Sequence, residues 1–99
     1  MLVEAFSEVL ATFFFTATIF AVAKETLAPL LIGVALAASI FFAAKFGKAF
    51  VNPAVALGFW ARGDIKAQAA IIYVVAEVLG ALLAVVWWKF ASGTHKSIF

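Results

Sequence analysis

Three stretches of this chain run almost without charge for the thickness of a lipid bilayer. Ala5 to Ala23 is interrupted only by Glu8, Thr26 to Ala44 by nothing, and Ala67 to Trp88 only by Glu77. As helices they rise ~1.5 Å per residue, so each reaches about 30 Å, the depth of a hydrocarbon core. Composition agrees, with 68% hydrophobic and 12% charged residues and a mean hydropathy of +1.20. A soluble domain carries about 45–50% apolar and about 25% charged residues, so a soluble enzyme is excluded. The 99 residues read as a single membrane domain over 1–99, an all-α membrane protein. A chain this small would bury only about 60% of its surface alone in water, which makes self-association the default expectation.

The first span opens on Glu4 and Glu8 where a secretory signal would carry cations, so it is expected to stay in the mature protein. Only Lys24 and Glu25 separate spans one and two, and Pro29 falls in the first turn of the second helix, where a missing N–H costs little. Those two spans are expected to form an antiparallel hairpin. With no cysteine there is no disulfide or thiolate metal site, and no cofactor is expected. His95 stands alone in a polar tail. A net charge of +2 without a basic block makes nucleic acid an unsuitable partner.

A fourth apolar stretch, Ala49 to Ala61, is too short to cross. At its centre Asn52-Pro53 supplies a helix start in the favoured order, Asn at the cap and Pro at the first helical position. The helix can then run from Pro53 to Arg62 and stop at Gly63. Ten residues make about 15 Å, half a membrane. The expectation is a re-entrant loop and half-helix over about 46–62, turning at Asn52. Non-helical backbone survives at that depth only beside protein or water, which implies a water-lined cavity. The competing reading, a surface amphipathic helix, would show a charged stripe, and none follows Pro53 before Arg62.

Charges flanking the spans are nearly balanced. One side holds Lys45, Lys48, Arg62 and Lys66, the other Lys24, Lys89 and Lys96, so insertion in both orientations is permitted. Trp60, Trp87 and Trp88 sit near span ends, where indoles favour the interface. Glu8 and Glu77 are ionisable groups inside spans, which is costly and marks a site. They could relay protons, or they could accept hydrogen bonds from loop N–H groups that are otherwise unpaired. The second role is favoured, because a relay needs further titratable groups at depth.

Asn52-Pro53-Ala54-Val55 followed by Gly58 resembles the first signature loop of the aquaporins and aquaglyceroporins, the major intrinsic protein family. Glu8-Val9-Leu10-Ala11-Thr12 is similar to that family's first-helix Glu-x-x-Gly-Thr, with alanine for glycine. Tyr73 to Ala81 resembles its third-helix Tyr-x-x-Ala-Gln-x-x-Gly-Ala, with Glu77 for glutamine. The resemblance implies three transmembrane helices plus the half-helix, one of the two inverted halves that family members carry. It also implies a channel for water and small neutral solutes such as glycerol, not an enzyme.

Two inverted copies would reproduce the repeat on which such transport folds are built. The expected partner is therefore the chain itself, as an antiparallel homodimer and, by analogy, a tetramer of dimers in membrane lipid. The alternatives are a non-conducting three-helix scaffold or assembly subunit, or one half of a hetero-oligomeric channel. The resemblance also assigns the pore turn to Asn52, Pro53 and Ala54. Counting from Asn52, the family's filter falls on Ile32, Ile40, Ala49 and Val55, all apolar. Lys48 is favoured as a side chain that snorkels to headgroups, with a substitute cation over the vestibule as the alternative role. Gly33, Gly58 and Gly80 are read as small residues that let helices approach.

Overall fold

The computed structural model describes residues 1–93; His95 and Lys96 lie outside the described residues. Four helices follow one another: α1 (Leu2–Val22), α2 (Ala28–Ala43), α3 (Pro53–Ala61) and α4 (Ala67–Ala91). Helices α1 and α4, with 21 and 25 residues, are long and apolar enough to cross a membrane. The apolar run 26–44 yields a helix of only 16 residues. Its ends are taken up by turns, in which the Ala28 N–H donates to Glu25 and the N–H groups of Phe46 and Gly47 donate to Ala43. Pro29 lies in its first turn, where no hydrogen bond is lost.

Helix α1 is central. It packs on α4 along one side and on α2 along the other, while α3 packs on α4. The burial pattern is inverted relative to a soluble bundle. Buried positions are small or polar: Ser7, Glu8, Ala11, Thr12 and Ala17 on α1, and Ala70, Tyr73, Ala76, Glu77, Gly80 and Ala84 on α4. The large apolar side chains face outward, with Leu2 85%, Phe41 72% and Phe90 68% exposed. Such a surface suits lipid, and helices in lipid associate through small residues that let backbones approach.

Gly80 shows this most sharply. A Cβ there would fall 2.5 Å from the Val9 carbonyl oxygen and 3.0 Å from Thr12 Cβ, so α1 and α4 touch backbone to backbone. Gly33 and Gly58 behave otherwise. Neither has an atom within 4 Å of a built Cβ, so the expected close approach does not occur at them within this chain, because both lie on faces that no other helix covers. The aromatic pairs Phe13–Trp87 and Phe20–Trp88, 6.3 and 6.1 Å between centroids, extend the α1–α4 seam toward the end of α4.

Candidate functional site: the loop before α3 and the groove beside it

Residues 44–52 leave α2, turn inward and deliver the chain to α3. Ala49, Phe50 and Val51 are buried although they belong to no helix, so their backbone groups need partners from elsewhere. Glu8 provides them. Its Oε2 accepts from the Phe50 N–H at 3.0 Å and its Oε1 from the Val51 N–H at 2.8 Å, with the carboxylate fully buried. Such hydrogen bonds contribute about 0.5–1.5 kcal/mol each, and about 1.5–3 where the acceptor is ionised. They offset backbone strain, since Ala49 and Val51 stand at φ +58° and +54°, a region that costs an L-residue about 1–2 kcal/mol. The β-branched Val51 is the more unusual of the two.

Further contacts pin the loop to α4. The Lys48 N–H donates to the Tyr73 hydroxyl at 3.3 Å, and Phe50 sits between the rings of Phe59 and Tyr73, 4.8 and 4.9 Å away. At Gly47 a Cβ would come within 2.7 Å of Glu4 Cγ and 3.2 Å of the Tyr73 hydroxyl, so only glycine lets the chain pass here without displacing them. Glu77 is fully buried, lies against the Glu8 carboxyl group and the amides of Val51 and Asn52, and makes no hydrogen bond of standard geometry with either oxygen.

The loop ends in a capped helix start. Asn52 is extended (φ −162°), and its Oδ1 accepts from the Ala54 N–H at 2.8 Å, with Pro53 first in the helix. At the other end Gly63 (φ +93°) donates to Trp60 and Asp64 donates to Phe59, a paired termination that satisfies the last carbonyls. Arg62 caps the helix, pairs with Asp64 and lies 5.0 Å from the Phe59 ring centroid.

One groove of about 320 Å³ runs beside α3, lined by Leu36 and Ile40 of α2, by Lys48, Ala49, Phe50 and Asn52 of the loop, and by Val55 and Phe59 of α3. It adjoins a second hollow of about 260 Å³ at Val55, Gly58, Phe59 and Arg62. Ile40, Ala49, Asn52, Val55 and Lys48 are thus brought together. Ile32 is not among them, being eight residues up α2 and about 12 Å along its axis. Pro53 and Ala54 begin α3 at the groove's inner end without lining it.

Tyr73, Phe50 and Gly47 hold the loop in place, and sequence reasoning assigned them no role. Tyr73 carried a usable signal, standing four residues before Glu77 and so on the same helical face. Phe50 and Gly47 act through contacts with α1, α3 and α4 that no local pattern contains.

A helical membrane architecture with a buried, non-helical loop feeding a short capped helix defines a narrow class. The family described as MIP, Major intrinsic protein, matches residues 26–97, and the chain belongs to it. It is an integral membrane protein. Over 75 residues, 74% of its length, it is 39% identical to "Aquaporin TIP4-1" and 37% identical to "Aquaporin TIP4-2" of Zea mays. Over 60 residues, 59% of its length, it is 33% identical to "Glycerol uptake facilitator protein" of Streptococcus pneumoniae serotype 4 (strain ATCC BAA-334 / TIGR4). The chain covers 26–29% of the length of these relatives. No solved structure matches significantly.

Proposed function

We propose that the chain is half of a channel, not an enzyme, and that two copies in opposite orientation enclose a pore for water and small neutral solutes such as glycerol. In this reading α1, α2 and α4 cross the membrane within the single domain 1–99, and residues 46–62 form a re-entrant loop and half-helix that turns near the midplane. The observation that carries it is the groove with Asn52 at its inner end, walled by this chain along one side and needing a second wall.

An inverted copy supplies that wall and sets two α3 N-termini against each other. Each carries the equivalent of about half a positive charge, and each Asn52 offers its amide N–H groups to a passing oxygen while its carbonyl oxygen caps the helix. A hydronium or metal cation meets repulsion there, whereas a neutral molecule meets donors. Ile40, Ala49 and Val55 form an apolar constriction at each mouth, completed by Ile32 of the inverted copy, with Lys48 as the cation above it. Gly33 and Gly58, open within one chain, are available for close approach between copies.

The test is an osmotic jump on proteoliposomes containing the purified chain. Faster shrinkage than empty vesicles, without proton leak, supports the channel; equal rates at verified incorporation overturn it.

A further inference from the structure

Glu8 and Glu77 are both completely buried and lie against one another between α1, α4 and the loop. Two N–H groups, those of Phe50 and Val51, donate to the two oxygens of Glu8. Nothing comparable serves Glu77, whose two oxygens lack a hydrogen-bonding partner of standard geometry. The hydroxyl of Thr12, one turn along α1 from Glu8, is likewise buried without a partner. Among the described residues no counter-cation relieves the pair. Helices α2 and α3 contain no ionisable residue, α4 adds only Tyr73 on the same face, Glu4 lies one turn earlier on α1, and Lys48 is exposed in the groove.

We propose that Glu77 is a positioning residue that works in its protonated form, donating its O–H to the Glu8 carboxylate so that the pair holds one proton beneath the loop. Two adjacent buried carboxyl groups cannot both ionise without large desolvation and like-charge costs, and a shared proton removes both. The assignment of the proton follows from the bonds already made. Glu8 accepts from two N–H groups and is the anion, so Glu77 is the acid. Glu77 then stands beside the Val51 and Asn52 amides, at the turn into α3. A metal cation is a poorer occupant, because the same space is lined by N–H groups and the positive end of α3.

The consequence is a loop whose order depends on proton concentration. When hydroxide takes the proton from Glu77, water and a second carboxylate are formed, and repulsion from Glu8 acts directly on the atoms that hold Phe50 and Val51. The loop is held at neutral pH and loosens in alkali, with Asn52 carried along.

Infrared spectroscopy of the full chain in vesicles tests this without any flux measurement, so its outcome is independent of the pore reading. The other acidic side chains, Glu4, Glu25 and Asp64, are not buried, so a carboxylic acid band at neutral pH reports on this pair. The band is expected in the native chain, shifted in D2O, absent from Glu77→Gln and lost in alkali. In parallel, hydrogen-exchange protection at Phe50 and Val51 is expected to fall about tenfold in alkali, the effect of weakening one charge-assisted bond. Glu77→Gln, whose amide still donates, keeps its protection throughout. A native chain without the band, or a Glu77→Gln chain that loses protection in alkali as the native one does, overturns the proposal.

Discussion

Asn52 combines two demands that one side chain rarely meets. Its carbonyl oxygen ends the run of unpaired N–H groups at the start of α3, and its amide nitrogen remains for the groove. Replacing it by leucine removes both, at a cost of about 1 kcal/mol for the cap. In proteoliposomes Asn52→Leu is expected to assemble as the native chain does, by size-exclusion chromatography, and to pass water more slowly. Unchanged flux would mean that the permeation path lies elsewhere. Glu8 meets a comparable double demand from the loop. Its two oxygens match two consecutive N–H groups, a geometry glutamine cannot reproduce because it has a single acceptor. Glu8→Gln is expected to lower thermal stability in detergent by about 1.5–3 kcal/mol, the worth of one such bond. A smaller loss would show that the loop rests mainly on its aromatic contacts with Tyr73 and Phe59.

At the scale of elements, the α1–α4 seam and the start and stop of α3 dominate. Gly80 sets the seam, and adding a side chain drives it into the Val9 carbonyl, which belongs to backbone and has nowhere to move. Gly80→Leu is expected to destabilise the fold by about 2 kcal/mol or more, read as a lowered denaturation midpoint, while Gly33→Ala and Gly58→Ala leave the isolated chain unaffected. Helix α3 was legible because its signals are local: Asn52-Pro53 opens it and Gly63 closes it. Helices α1 and α4 were legible because an uncharged run of that length has few other fates. The loop from 44 to 52 was not. Its path depends on non-glycine residues at positive φ and on Gly47 passing between Glu4 and Tyr73, neither of which leaves a periodic trace; only the supporting carboxylate of Glu8, an acid inside a span, announced itself. The grouping of Ile40 with Ala49 and Val55 came through family resemblance, since no spacing rule links a helix to a loop that folds back on it. Gly33 and Gly58 looked equivalent to Gly80 in sequence, and only the packing separates them.

In the whole molecule an inside-out burial pattern is joined to a groove that needs a partner. Balanced Lys and Arg on the two sides permit insertion either way, so a reporter at the N-terminus is expected on both faces of the membrane. A reporter confined to one face would point to a different chain as the second half. The pairing itself can be caught directly, because the sequence has no cysteine and Ala54 is exposed in the first turn of α3. With Ala54→Cys the two inverted copies bring their sulfurs together on the axis between them, within the ~4.4–6.8 Å between Cα atoms that a disulfide spans. The decisive measurement is mild oxidation of that variant in sealed vesicles followed by external protease. The expected result is a disulfide-linked dimer in which one N-terminal tag is cleaved and the other protected. Failure to cross-link in folded protein, or dimers whose two tags share one fate, would contradict it.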